Sequence, residues 1–258
     1  MVYAIIQARM NSSRLPGKVL MDLCGQPVLM HVVSRLGHSK KIDSIIVATT
    51  VSDMDNSLAN YCNKNNILCF RGSEGDVLDR FYQAALNNGA NEGDYIVRIT
   101  ADCPFIDPQL VDSIIEAALE NRRDYTSNTL NPTYPDGLDT EVFKFSALKR
   151  AWEDATLRSE REHVTPYIYK HPELFSLFSY ESNHNHSFLR WTLDEPEDYT
   201  VIEKVYQKLY NTDKVFLTKD ILNLYTTDKS IFETNTVFTR NEGYEKSLKD
   251  DTEVEVDA

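Results

Sequence analysis

Segments with the length of β-strands alternate with segments of helical periodicity through residues 1–120 of this chain. The predicted strands are 3–7, 44–49, 67–71 and 95–100, and the predicted helices are 28–37, 55–65, 77–87 and 108–120. This alternation predicts right-handed crossovers and an α/β fold, in which a mostly parallel central sheet has helices on both faces. Ligands bind such a sheet at the carboxyl ends of its strands.

The first predicted strand leads into a basic loop. Residues 1–20 contain Arg9, Arg14 and Lys18 and no acidic residue, although the whole chain has a formal net charge of −13. Backbone N–H groups at a strand-to-helix turn, together with fixed cations, match the charge and geometry of a polyphosphate. A solvated surface loop would have the same composition. The loop also matches neither G-x-x-x-x-G-K-[ST] nor G-x-G-x-x-G, so we predict a nucleotide site of another type.

The motif R-x-x-S-x-R-L-P-G-K in this loop resembles the signature of bacterial cytidylyltransferases that make CMP-activated sugars. It most resembles the branch named after spore-coat polysaccharide biosynthesis, and the CMP-Kdo and CMP-sialate synthetases are more distant relatives. Later segments agree with that branch in the same order: RGSEGDVLDRFYQAA, RITADCPFIDP, PDGLDTEVF, REHVTPYIYKHP, RWTLDEPEDY and RNEGYEKSL. The resemblance therefore covers nearly the whole chain.

This resemblance implies a fold, an activity and roles for residues. The fold would be the Rossmann-like nucleotide-diphospho-sugar transferase (GT-A-like) fold, and the activity would be Mg²⁺-dependent transfer of CMP from CTP to a sugar or acidic sugar. Arg14 and Lys18 would be catalytic and hold pyrophosphate, and Asp102 and Asp194 would be paired metal ligands. Contacts to the nucleotide would come from Gln7, Ala8, Arg9, Ser12, Ser13, Thr49, Thr50, Arg71, Gly72 and Asp76.

The positions of the two aspartates agree with a metal role. Asp102 follows the predicted strand 95–100, and Asp107 is better placed than Asp102 to cap the helix at Pro108. Asp194 stands before a helix that has Pro196 in its first turn, so taken alone it would be an N-cap. Mg²⁺ prefers one or two carboxylates together with water and phosphate oxygens.

Three further residues are predicted to contact the substrate. Asp139 and Glu141 alternate on one face of a predicted strand, where a solvent-facing strand would show the same pattern. Their position favours contacts to sugar hydroxyls or to a second metal. His163 is a candidate sugar contact or general base, although a buried structural histidine is an equal alternative.

The pattern of the chain changes after residue 124. We predict helices at 145–154, 163–170 and 196–210 and a strand at 188–192. A single domain over residues 1–245 would consist of a nucleotide-binding half (1–123), a substrate and dimerisation lobe (124–187), and a metal-ligand strand with C-terminal helices (188–245). Residues 246–258 contain five acidic residues and no aromatic residue, so we predict a disordered tail there.

Composition excludes some classes of protein. A sequence pI near 4.9 disfavours general nucleic-acid binding, which needs a basic surface. The four cysteines form no C-x-x-C pair, and no apolar run reaches 18 residues. We therefore expect a cytoplasmic protein with reduced thiols and no membrane segment, and by resemblance a homodimer.

Two other functions remain open at this point. A glycosyltransferase of the same fold would consume a nucleotide sugar, but the D-x-D motif usual in such enzymes is absent around Asp102. A non-catalytic nucleotide-binding protein would have no need of two aspartates facing a phosphate loop.

Overall fold

The computed structural model describes residues 1–238 and 240–254. Within this part of the chain, seven strands form one sheet in the order β5-β4-β1-β6-β8-β7-β9, and two short strands, β2 and β3, form a separate hairpin. The strands are β1 (Val2–Gln7), β2 (Asp22–Leu23), β3 (Gln26–Pro27), β4 (Ser44–Thr50), β5 (Leu68–Gly72), β6 (Tyr95–Thr100), β7 (Tyr125–Ser127), β8 (Glu141–Lys144) and β9 (Leu177–Ser179).

Helices connect most of these strands. They are α1 (Val28–Leu36), α2 (Asn56–Lys64), α3 (Val77–Asn87), α4 (Pro108–Asn121), α5 (Phe145–Asp154), α6 (Arg158–His163), α7 (Pro166–Lys170), α8 (Pro196–Leu209), α9 (Thr218–Thr227) and α10 (Glu242–Lys249). Short 3₁₀ helices lie at Lys18–Leu20, Asp53–Asp55 and Lys229–Phe232. No helix among the described residues is both long enough and apolar enough to cross a membrane.

The central strands are parallel, as predicted. β1 pairs in parallel with β4 on one side and with β6 on the other, and β4 pairs in parallel with β5. β8 runs antiparallel to both β6 and β7. The chain therefore leaves the carboxyl end of β1 at the point where strand order reverses, which is where α/β sheets form a ligand crevice.

Alternation along β1 shows why the sheet is covered on both faces. Ala4 and Ile6 belong to one buried apolar cluster, which includes residues of α1, α4 and α8. Tyr3 and Ile5 belong to a second cluster on the opposite face, which includes residues of α3 and α5. Because successive strand residues point to opposite faces, one short apolar segment contributes to two cores.

Two predicted elements differ in the structure. The helix predicted at 163–170 is divided between α6 and α7, because Val164 has a φ of 73° and Pro166 begins a new helix. The strand predicted at 188–192 does not form. Phe188 lies 67% exposed, and Arg190 makes only an isolated bridge to Asp136.

The predicted disordered tail also differs over residues 246–254. Helix α10 continues to Lys249, and the Asp251 carboxylate accepts hydrogen bonds from the backbone N–H and the hydroxyl of Ser159, at 2.9 and 2.7 Å. The backbone N–H of Val254 donates to the carbonyl of Thr156 at 2.8 Å. Glu255 and Asp257, two of the five acids on which the prediction depended, lie outside the described residues.

Candidate active site

The basic loop after β1 is closed by backbone contacts. The N–H of Gly17 donates to the carbonyl of Met10 at 2.8 Å, and Gly17 has a φ of 74°, a conformation that glycine adopts without strain. The N–H of Met10 in turn donates to the carboxylate of Asp55 at 2.7 Å. Burial would raise the pKa of Asp55, but hydrogen bonds from Thr50 and Met10 lower it, so this carboxylate anchors the loop as an anion.

Lys18, at the end of this loop, joins the two predicted metal ligands. Its Nζ atom lies 2.5 Å from Oδ2 of Asp102 and 2.8 Å from Oδ1 of Asp194. Burial alone would lower the pKa of Lys18, but the two carboxylates outweigh it and raise that pKa. Burial would likewise raise the pKa of Asp102, and Lys18 lowers it. The structure therefore brings a cation and two carboxylates from three separate segments to one point.

Backbone contacts hold the two aspartates side by side. Asp102 follows β6, and its carbonyl accepts the N–H of Leu193 at 2.8 Å, next to Asp194. The backbone N–H groups of Asp194 and Glu195 both donate to Oδ2 of Asp198, at 3.0 and 2.9 Å. Asp198 thus caps the first turn of α8 and fixes the backbone that carries Asp194.

Arg190 holds Asp198, and with it the first turn of α8, in place. Its guanidinium binds both carboxylate oxygens of the fully buried Asp198 at 2.9 Å. The same guanidinium lies 3.5 Å from Asp194 and 3.4 Å from Asp136. Burial opposes the charge of Arg190, but Asp198 and its neighbours raise the pKa of the guanidinium. Arg190 therefore orients a predicted metal ligand without itself lining the cavity.

Arg14 and Arg9, the other two cations of the basic loop, differ in their contacts. Arg14 lies 3.1 Å from Asp194 and 3.1 Å from Glu195, and 3.4 Å from Glu242 of α10. Arg9 is exposed and forms no hydrogen bond or ion pair with any other described residue. Arg9 is therefore free to bind an anion, whereas Arg14 already contacts three carboxylates.

The donor set agrees with a magnesium ion. Asp102 and Asp194 place one carboxylate oxygen each within 2.8 Å of a single cationic atom, Nζ of Lys18. Two carboxylates with room for water and phosphate oxygens suit the octahedral preference of Mg²⁺. No group of three or more His, Cys, Asp or Glu side chains among the described residues could hold a metal by protein ligands alone. A metal here would therefore need further ligands from substrate or water.

These residues face a cavity of about 1220 Å³ at the carboxyl ends of β1 and β6. Eleven of the predicted site residues line it: Gln7, Ala8, Arg9, Ser12, Ser13, Arg14, Lys18, Asp76, Asp102, His163 and Asp194. The opposite wall comes from α6 and α10. The cavity is therefore large enough for a nucleotide together with a second substrate.

Four residues predicted to contact the nucleotide do not line this cavity. Thr49 and Thr50 are buried, and the hydroxyl and N–H of Thr50 donate to Asp55 at 2.5 and 3.1 Å. Arg71 donates to the carbonyls of Thr50 and Ser52 at 2.8 Å, and Gly72 pairs with Thr50 in the sheet. These residues hold the loop after β4, so any effect on a nucleotide would pass through Asp55 and the basic loop.

Asp139 and Glu141 also lie off the cavity wall. Asp139 forms an ion pair with Arg240, although burial raises the pKa of Asp139 to about 7. Glu141 pairs with Arg98 and accepts from the hydroxyl of Tyr125 at 2.7 Å.

The buried pair of Glu141 and Arg98 reaches the cavity through a third residue. Arg98 donates to the side-chain carbonyl of Gln7 at 3.2 Å, and Gln7 lines the cavity. Glu141 therefore acts on the site through Arg98 and not by direct contact.

His163 lies on the wall formed by α6. Burial, with the charge of Arg98 next in importance, lowers the pKa of His163 to about 4. Its Nε2 atom lies 3.0 Å from the hydroxyl of Ser247, and its ring meets Tyr244 edge to face at 4.9 Å. His163 is therefore neutral near pH 7, which suits hydrogen bonding to a sugar hydroxyl better than binding an anion.

Arg80 is a buried cation that the sequence did not assign to the site. Its Nη1 atom donates to the carbonyl of Ser73, which lines the cavity, while its Nε and Nη2 atoms have no hydrogen-bond partner among the described residues. Burial lowers the pKa of Arg80 to about 10. Three residues that hold the site in place, namely Arg190, Asp198 and Asp55, were also not identified from the sequence.

The chain is similar to known proteins over most of its length. The profile of the cytidylyltransferase family matches residues 3–230. An uncharacterised protein of Methanocaldococcus jannaschii is 44% identical over 210 residues, which cover 81% of this chain and 82% of that protein. The spore coat polysaccharide biosynthesis protein SpsF of Bacillus subtilis is 38% identical over 211 residues, covering 79% and 85%. A solved cytidylyltransferase from Leptospira borgpetersenii serovar Hardjo-bovis has a TM-score of 0.85 at 32% identity, covering 92% of this chain and 99% of its own.

Proposed function

This chain belongs to the cytidylyltransferase family, and on that premise we propose that it transfers CMP from CTP to a hydroxyl of a sugar or acidic sugar and releases pyrophosphate. One observation carries the proposal: Lys18 stands between Asp102 and Asp194 at the edge of a 1220 Å³ cavity, directly after a basic loop. A site built of cations and paired carboxylates suits a triphosphate and its metal ion.

The loop would bind the triphosphate. The guanidinium of Arg9 pairs with no other residue in the described ranges, and Ser12 and Ser13 offer hydroxyls on the same wall. Arg14 would contact the β- and γ-phosphates, exchanging part of its carboxylate contacts for phosphate oxygens. Lys18 would supply a compact charge where negative charge develops on the leaving pyrophosphate.

Asp102 and Asp194 would hold Mg²⁺ together with phosphate oxygens and water. The bound ion would neutralise phosphate charge and make the α-phosphorus easier to attack. In the transfer, the acceptor oxygen forms a bond to the α-phosphorus, the bond from that phosphorus to the bridging oxygen breaks so that pyrophosphate leaves with that oxygen, and the hydroxyl proton passes to water. Arg190 and Asp198 keep the carboxylate of Asp194 in position for this role.

The acceptor would lie against the wall formed by α6. Glu162 and His163 line that side and offer hydrogen bonds suited to a polyhydroxylated molecule. Since one relative is a spore coat polysaccharide biosynthesis protein, we propose that the product supplies an activated sugar for glycan assembly. The homodimer implied by the sequence resemblance stays a prediction, and light scattering of the purified protein would test it.

Nucleotide binding can be tested without knowing the acceptor. CTP with Mg²⁺ should raise the melting temperature, because a ligand that binds only the native state stabilises it by RT ln(1 + [L]/Kd). EDTA should remove most of that shift, and ATP, GTP and UTP should give smaller shifts. No shift with any triphosphate would refute the proposal, and a shift only with nucleotide sugars would favour a glycosyltransferase.

A further inference from the structure

The C-terminal segment, residues 240–254, forms one wall of the nucleotide cavity. Helix α10 presents Glu242, Gly243, Lys246 and Ser247 to it, and Asp250, Thr252 and Val254 continue the same wall. The family profile ends at residue 230, so this wall lies outside the part of the chain that matches it. It includes RNEGYEKSL, which resembles the spore-coat branch, so one wall of the cavity comes from a part of the chain beyond the matched profile.

Polar contacts hold the C-terminal segment against α6. None of the residues of α10 is buried. The hydroxyl of Ser247 lies 3.0 Å from His163 and 3.1 Å from Glu162, and Asp251 accepts two hydrogen bonds from Ser159. A helix with few buried apolar contacts and exposed backbone belongs to the least stable part of a fold. Thr252 and Val254 form backbone hydrogen bonds with Arg158 and Thr156, and Tyr244 packs edge to face on His163 at 4.9 Å. The exposed helix α10 can therefore separate from the cavity more easily than the buried elements, while the paired residues 252–254 anchor its C-terminal end.

The C-terminal segment forms two ion pairs with residues of the predicted site, one with Arg14 and one with Asp139. Glu242 lies 3.4 Å from Nη1 of Arg14, the proposed pyrophosphate ligand. Arg240 pairs with Asp139 and donates to the carbonyl of Tyr134 at 3.2 Å. The carboxylate of Glu242 thus contacts the guanidinium of Arg14, which we propose binds the phosphates of CTP.

We propose that residues 240–254 are a lid over the nucleotide cavity and that Glu242 is its latch, a carboxylate on Arg14 that an incoming triphosphate displaces. This inference depends on the proposed CTP site. Both the carboxylate and a phosphate bind the guanidinium through charge-assisted hydrogen bonds, and the phosphates carry more charge. Displacing Glu242 removes the contact that ties α10 to the basic loop across the cavity and leaves the contacts of α10 with α6, so nucleotide binding and lid opening are coupled.

The test is the dissociation constant of CTP with Mg²⁺, measured by calorimetry on the unchanged protein, on Glu242→Gln and on Glu245→Gln. Glu245 is the matched control, because it lies in the same first turn of α10 and does not line the cavity. An exposed ion pair of this kind is expected to change affinity roughly two- to fivefold, so Glu242→Gln should bind CTP tighter by that factor. The control should bind as the unchanged protein does.

The possible outcomes separate the two proposals. Equal or weaker binding by Glu242→Gln, in a protein that binds CTP, would overturn the latch and leave the proposed function standing. Failure of the unchanged protein to bind any triphosphate would refute both. Hydrogen exchange gives a second measurement: saturating CTP should speed exchange of the amide groups of α10 in the unchanged protein. Unchanged or slower exchange there would contradict a displaced lid.

Discussion

The ammonium group of Lys18 lies 2.5 Å from the carboxylate of Asp102, and this contact joins the loop after β1 to the end of β6. Because Asp194 lies 2.8 Å from the same ammonium, one side chain compensates two carboxylates from distant parts of the sequence. Lys18 is 8% exposed, so these charges are only weakly screened by solvent. Both the local structure and the proposed chemistry depend on this one group.

Replacing Lys18 by methionine should separate its charge from its volume. We expect pyrophosphate release to fall roughly tenfold or more, because a charge-assisted hydrogen bond contributes about 1.5–3 kcal/mol. Mg²⁺ alone should then raise the melting temperature more than it does in the unchanged protein, since Asp102 and Asp194 have lost their shared cation. Lys41→Met, which removes a surface pair with Glu116, is the control. Turnover equal to that of the control would contradict a catalytic role.

Neutralising either proposed metal ligand should abolish metal-dependent binding. Asp102→Asn and Asp194→Asn each remove one of the two carboxylates, so the thermal shift given by CTP should no longer depend on Mg²⁺. Asp213→Asn, an exposed carboxylate elsewhere, should keep the full shift. If both site variants retain a shift that EDTA removes, the metal is bound elsewhere.

Asp198 should contribute to the stability of the fold, because its side chain is fully buried and charged. Its fully buried carboxylate accepts from Arg190, from Asn235 and from two backbone N–H groups. Asp198→Asn should lower the free energy of unfolding by about 3 kcal/mol, because the buried guanidinium of Arg190 loses its bidentate carboxylate and keeps only the longer contacts with Asp136 and Asp194. Urea denaturation measures this, with the exposed neighbour variant Glu197→Gln as control. A change of less than about 0.5 kcal/mol, as is usual for surface substitutions, would show that the network is not structural.

His163 should make the protein less stable in acid. Its pKa is about 4 in the folded chain and 6.5 when unperturbed, so between these values the unfolded chain binds the extra proton. Stability should therefore fall as the pH is lowered from 6.5 towards 4. His163→Gln should reduce this loss, whereas His38→Gln, at an exposed position, should not. Urea midpoints measured across this pH range would decide, and parallel curves for the two variants would contradict the neutral histidine.

Local sequence pattern was enough to predict the first half of the fold. The predicted strand 95–100 and helix 77–87 coincide with β6 and α3, because apolar period and turn residues agree there with the tertiary environment. The family resemblance to the spore-coat branch is also confirmed. The break between α6 and α7 could not be predicted in the same way, since a valine with positive φ leaves no mark in the sequence.

The strand predicted at residues 188–192 shares one property with the structure that forms there. Leu189 and Trp191 are buried, as alternate residues of a strand would be. Their backbone groups bind Asp136 instead, where Gly137 brings the loop so close that a Cβ there would lie 2.5 Å from Trp191. An alternating pattern indicates which side chains are buried, but it does not indicate whether the backbone pairs with a neighbouring strand or with a loop.

The cations of the basic loop could be predicted from the sequence, whereas the buried residues that hold the site in place could not. Arg9, Arg14 and Lys18 are conspicuous as cations in an acidic chain. The pairing of Arg190 with Asp198 resembles an ordinary helix-start pattern in sequence, and only the fold shows that it is buried and bidentate.

If this chain joins CMP to an acceptor, the products of the reaction will show it. The protein should be incubated with each of the four nucleoside triphosphates, Mg²⁺ and a panel of neutral and acidic sugars, while pyrophosphate and new nucleotide sugar are both quantified. One acceptor class should give pyrophosphate and a CMP-sugar in equal amounts, with CTP preferred and with Asp194→Asn inactive. Absence of pyrophosphate from every combination, together with release of a nucleoside phosphate from a ready-made nucleotide sugar, would contradict it.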